Sequence, residues 1–172
     1  MASFNFKIRF ISTPPVPPEL NLHLDEFVEF SQHNLSSLAQ EDRAFLASQG
    51  LPRDASPFLS FAAYSQAEIA ERIETFALTT NLFPIGHNGS GDVIAIDKSS
   101  REVVYFNHDM YNLRVFINSS LPLFAECLCI YQEHLHNKKM HSCLMAIETI
   151  DMAAARTDGM WSAEIKQSME SD

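Results

Sequence analysis

Apolar and polar residues alternate strictly from Phe4 to Phe10, with Lys7 and Arg9 on the polar side. A period of two belongs to a strand with one buried face, so the pattern predicts a strand over residues 4–11. Pro14, Pro15, Pro17 and Pro18 stop that strand and predict a stiff, extended connector. Phe27, Val28 and Phe30 are flanked by Asp25, Glu26 and Glu29, which predicts one short helix with acids at its positive N-terminal end. Leu38, Phe45 and Leu46 then recur at helical spacing, with Ser36 or Ser37 as a cap and Gly50 as the stop before Leu51 and Pro52. Phe58, Leu59 and Phe61 predict a strand.

Between Ser65 and Thr80 the signals conflict. Ala67, Glu68, Ala70, Glu71 and Arg72 favour helix, whereas Phe76, Leu78, Thr79 and Thr80 favour strand, so a helical turn followed by a strand is expected. From Leu82 the run LFPIGHNGSGDVIAID gives a strand, a glycine-rich turn and a second strand ending at Asp97. Lys98 to Arg101 form the next turn, and Val103 to Phe106 complete an antiparallel meander of three strands. Asn118, Ser119 and Ser120 offer caps for a helix with Leu121, Phe124, Ala125, Leu128, Tyr131 and Leu135 on one face and Pro122 in its tolerant first turn. A second helix begins at about Lys138 and carries Met140, Cys143, Leu144, Ile147 and Met152; Asp158 and Gly159 break it. Met160, Trp161, Ile165 and Met169 predict a last short helix.

At 172 residues, with 46% of them hydrophobic, the chain suits one folded domain, and nothing in it repeats. No apolar run is long enough for a membrane span, and the N-terminus lacks the layout of a secretion signal, so a cytoplasmic location is expected. Cys127, Cys129 and Cys143 are an odd set within apolar helices, which predicts reduced thiols packed as small hydrophobes. The formal net charge of −10 opposes approach to nucleic acid or an anionic membrane and favours a basic partner.

Candidate chemistry changes this picture little. The run from Gly86 to Gly91 superficially suggests a phosphate-cradling loop, but a strand follows it, where such loops lead into a helix. His134, His136 and His141 lie near Cys143 and Glu133, yet ligands on a helix pair at a spacing of four, so no metal is expected. Asp92 with Asp97, or His108 with Asp109, offers an acid and a base without a nucleophile or an orienting group. No catalytic residue and no cofactor is therefore assigned. The acids Glu68, Glu71 and Glu74 recur at helical spacing and read either as a solvated face or as a docking surface.

The stretches LFPIGHNGSGDVIAID, EVVYFNHD and VFINSSLPLFAECLCIY, preceded by EDRAFLASQGLP and followed by MWSAEIKQSM, resemble the SUKH superfamily, most closely its fourth subfamily. The resemblance covers about Leu35 to Met169. It implies an α+β fold, a single domain with a central bent antiparallel sheet and helices packed against it. Gly86, Gly89, Gly91 and Asp92 then correspond to the family's glycine turn, and Asn118 with Ser119 to its helix cap. It also implies a non-catalytic immunity protein that binds a cognate toxin of nuclease or deaminase class, with a regulatory adaptor as the rival reading. Glu68, Glu71, Asp92 and Asp109 are the candidate contacts with that toxin, which should be basic. A third reading places a small ligand near His87 and His108. Residues 1–18 stand outside the resemblance as an arm, with 19–172 as the SUKH-like domain. The arm's strand adds an edge to the sheet, pairs two copies of the chain, or decorates the surface.

Overall fold

A computed structural model describes residues 5–13 and 26–171. Within them the elements run α1 (Phe6–Ile11), β1 (Phe27–Val28), α2 (Gln40–Gln49), β2 (Leu51–Pro52), β3 (Asp54–Ala55), β4 (Leu59–Phe61) and α3 (Gln66–Thr75). They continue with β5 (Leu82–His87), β6 (Val93–Asp97), β7 (Val103–Asn107), β8 (Leu113–Asn118), α4 (Leu121–His136), α5 (Cys143–Ile150) and α6 (Met160–Glu170). Among the described residues the last six strands form one antiparallel sheet in sequence order, while β1 and β2 pair separately. This is the expected α+β arrangement of sheet and helices.

The expected meander is the centre of the sheet, and β8 extends it on one side. Its alternation fixes two faces: Ile94 and Ile96 enter the main core, whereas Ala95 joins Leu82 and Val104 in a smaller cluster. Register shifts between Pro84 and Gly86 and between Val103 and Val104 mark bulges, the device by which a sheet bends. The main core is closed by α4 and α6, with the Trp161 ring between Phe124 at 6.3 Å and Tyr131 at 5.7 Å. Ser120 caps α4 by accepting from the Leu123 N–H, with Pro122 in the first turn.

Four expectations need correction. The N-terminal strand is a helix: Phe6 and Phe10, four apart, are buried, while Ile8 is 60% exposed. A six-residue run with apolar residues at every second position satisfies both periods, and packing decides between them. Asn5 caps α1 through the Ile8 N–H, and Arg9 clasps Glu133 on α4 with bonds of 2.6 and 2.9 Å. Phe6 also meets Phe27 and Phe45, so α1 is packed into the core, and no strand within residues 5–13 remains to pair copies of the chain. Phe4, the four prolines and Asp25 lie outside the described residues.

The short helix expected around Phe27 is instead β1, paired with the chain that leaves α2. The strand expected near Leu78 to Thr80 is a turn, because α3 runs on to Thr75 on a capping box between Ser65 and Glu68. Helix α2 begins at Gln40, without a side-chain cap from Ser36 or Ser37, and ends as expected at Gly50, where φ is +66°. No helix among the described residues is long and apolar enough to cross a membrane.

Candidate partner-binding surface

The glycine turn joins β5 to β6, and each of its residues has a separate task. Gly86 lies within β5, between Phe61 and Ile94, where a Cβ would stand 2.1 Å from the Ser60 carbonyl oxygen. Gly89 gives way to Phe58, whose Cβ lies 3.0 Å from where its own would be, and Gly91 takes a φ of +84°. The residue that organises the turn is Asn88, which sequence reasoning passed over. Its Oδ1 accepts from the Ser90 and Asp92 N–H groups at 3.0 and 2.9 Å, the local bonding that Asn before Gly favours.

Asp92 does not serve as an exposed contact, which corrects the expectation for that residue. It is 4% exposed and accepts from the His108 N–H and from Asn88 Nδ2, both at 3.0 Å, while one oxygen meets the His108 ring. Burial pushes the Asp92 carboxyl up, but the bonds from the His108 backbone, Asn88 and the His108 ring together hold it below its ordinary value. The His108 ring is raised, chiefly by Asp92 and then by Asp109.

A raised histidine stabilises the fold fully below its ordinary 6.5 and loses that contribution as pH rises through the folded value. A lowered carboxyl contributes above its ordinary 3.8 and fails as pH falls through the folded value. Urea unfolding of His108→Ala should therefore differ most from wild type between pH 3.8 and 6.5, and the gap should shrink above the raised histidine value. A difference that stays flat across pH would show that the pair is not the link.

Asn118 and Ser119 do not cap α4, since Ser120 does. They meet Asp151 instead. Asp151 accepts from Asn118 Nδ2 at 2.9 Å and from the Ser119 N–H and hydroxyl, each at 2.8 Å. Asn118 Oδ1 accepts from the Trp161 indole N–H at 2.9 Å. This knot, buried at Asn118, Asp151 and Trp161 and open to the surface at Ser119, ties the end of β8 to the segment after α5 and to α6. The signal for Asp151 was a lone acid between Ile150 and Met152, too common a pattern to stand out.

Glu71 and Glu74 are exposed on α3. Glu68 is exposed too, and the bond it accepts from the Ser65 backbone, then the Ser65 hydroxyl, hold its carboxyl below the ordinary value. Arg72 leans on the Tyr64 ring, 3.7 Å from its centre. Asp109 is exposed in a single 3-10 turn at the β7–β8 tip, beside the exposed Met110, Tyr111 and Leu113. Asn112 Nδ2 donates to the Phe76 carbonyl at 2.7 Å and so fastens that tip to the end of α3. The structure thus associates Asp109 with the acidic helix and withdraws Asp92.

On the other side of the glycine turn lies a groove of about 770 Å³, bounded by the β3–β4 hairpin, α4 and α6. His87 and Gly91 line this groove and also a smaller one of about 490 Å³ against α3. His108 lines neither, so the two histidines do not meet in either groove. His134 bonds the Ile130 carbonyl of its own helix, and among the described residues no three His, Cys, Asp or Glu gather as metal ligands. Burial pushes the Cys127, Cys129 and Cys143 thiols up to about 12, so none is a thiolate near neutral pH.

Comparison with known proteins adds one finding. A family model described as SUKH-4 immunity protein matches residues 24–167. Neither the curated proteins nor the solved structures provide a match.

Proposed function

The chain belongs to the SUKH-4 immunity protein family, and from that membership we propose that it captures a nuclease or deaminase toxin and blocks it by contact alone. Membership in this family implies toxin neutralisation without catalysis. The match over residues 24–167 carries the reading. Electrostatics supports the class of partner: a toxin that grips nucleic acid presents a basic surface, and this chain has a net charge of −10. Such a pair meets quickly and then holds by packing. The buried, free thiols suit a reducing compartment, in keeping with a cytoplasmic site of action.

Glu68, Glu71 and Asp109 form the acidic approach surface in this reading. Because Glu68 also closes the capping box, it is changed to Gln, which keeps the helix start, while Glu71 and Asp109 are changed to Lys. At low salt the triple variant should bind the cognate toxin domain about 10- to 100-fold more slowly, and the salt dependence should flatten. Stopped-flow association measures both. An unchanged rate with an unchanged salt slope would remove this surface from the interface.

A further inference from the structure

We infer that the groove between the β3–β4 hairpin and α6 is a socket for an arginine side chain of the toxin. The inference rests on the toxin-binding reading and names the contact that anchors it. Glu164, Gln167 and Ser168 of α6, with Ser171 just after it, recur at helical spacing and line one wall, while Trp161 and Ile165 face the core. Tyr131 and Leu135 of α4 form the floor, and Phe58 stands at the rim.

Two features select the occupant. The first is Glu164, which is half-buried in the groove and has neither a hydrogen bond nor an ion pair among the described residues. Burial pushes its carboxyl up, the cost of holding a charge where nothing neutralises it. Among the described residues no lysine or arginine lines the groove, so none of them supplies the counter-charge there. A cation brought into the groove would offset that desolvation, so the carboxylate is placed to receive one.

The second is Phe58, 72% exposed and held at a φ of +55°, a conformation that costs a bulky residue energy. The signature glycine at 89 is what lets its ring stem pass the turn. An exposed ring that lines the same largely apolar groove as a carboxylate suits a guanidinium, which stacks on aromatic faces and sheds water more readily than an ammonium. The groove lies across the glycine turn from the acidic helix α3, and His87 lines the cavities on both sides. Approach and anchoring are therefore adjacent, with α3 attracting the basic surface and the groove taking one of its side chains.

The probe is N-acetyl-arginine amide, titrated into the full chain by two-dimensional NMR beside N-acetyl-citrulline amide, which has the same shape without the charge. The arginine compound should shift the resonances of Phe58, Gly89 and Glu164 and bind at least about tenfold more tightly, a preference that Glu164→Gln removes. Equal binding of the two amides, or shifts confined to α3, would overturn the assignment. Against the toxin domain itself, Glu164→Gln should weaken the complex about 30-fold or more while leaving the melting temperature equal or higher, since it removes a desolvated charge. Undiminished toxin affinity in this variant would also overturn it. If the wild-type chain captured no toxin, the toxin reading would fall, and the amide comparison would still decide the socket.

Discussion

Replacing Gly86 with alanine is expected to cost the fold about 3 kcal/mol or more, read as a lower urea midpoint. The added Cβ would lie 2.1 Å from the Ser60 carbonyl oxygen and 3.0 Å from the Phe61 Cα. Both are backbone atoms of β4, which cannot turn aside as a flexible side chain would. Either β4 leaves the sheet, taking a wall of the groove with it, or β5 shifts its register. Gly91→Ala provides the contrast, since among the described residues nothing lies within 4 Å of the added Cβ and it is the φ of +84° that resists substitution. That change should cost about 1 kcal/mol. Similar losses at both positions would mean that close approach is not what requires Gly86.

The second large effect is expected at Asp151. Its two oxygens take the Asn118 amide, the Ser119 N–H and the Ser119 hydroxyl, and Asp151 is 5% exposed. Asp151→Ala leaves the buried Asn118 amide without its acceptor, while the exposed Ser119 can turn to water, a loss of about 2–3 kcal/mol. Thermal unfolding followed by circular dichroism measures it. Asp151→Asn should fall between, because one carbonyl oxygen remains to accept. A loss under about 1 kcal/mol in the alanine variant would show that water replaces the carboxylate, and that the knot does not hold β8 to α6.

Much of the centre of the fold could be read from the chain because its signals are local. Six apolar residues on one face, a serine cap and a proline in the first turn define α4 without reference to anything distant. The meander was equally clear, since Gly91 and Asp97 mark its turns. Helix α1 was not, because its period is ambiguous over six residues and the deciding contact, Arg9 with Glu133, spans 124 positions. Strand β3, of two residues, carries too few side chains to show any period, whereas β4 is legible in Leu59 and Phe61.

The candidate site divides along the same line. Glu68, Glu71 and Asp109 were legible as acids in polar surroundings, and they are exposed. Asp92 was not distinguishable from them, since only the fold brings the His108 backbone to its carboxylate. Glu164 escaped notice altogether. In the sequence it is one polar residue on an amphipathic helix, and its half-buried position arises from the β3–β4 hairpin more than a hundred residues upstream.

The order of the sheet bears on how the chain assembles. Every strand from β3 to β8 pairs with its neighbours in sequence, so β5 to β8 can zip through successive hairpins, and only the β4–β5 pairing closes a longer connection, the one that carries α3. Chains rich in such short-range pairings reach the native state quickly. The docking of α1 onto α4, where Arg9 meets Glu133 across 124 positions, lies at the far end of that scale. A protein whose work is to be ready before its adversary arrives gains from having its frame built early.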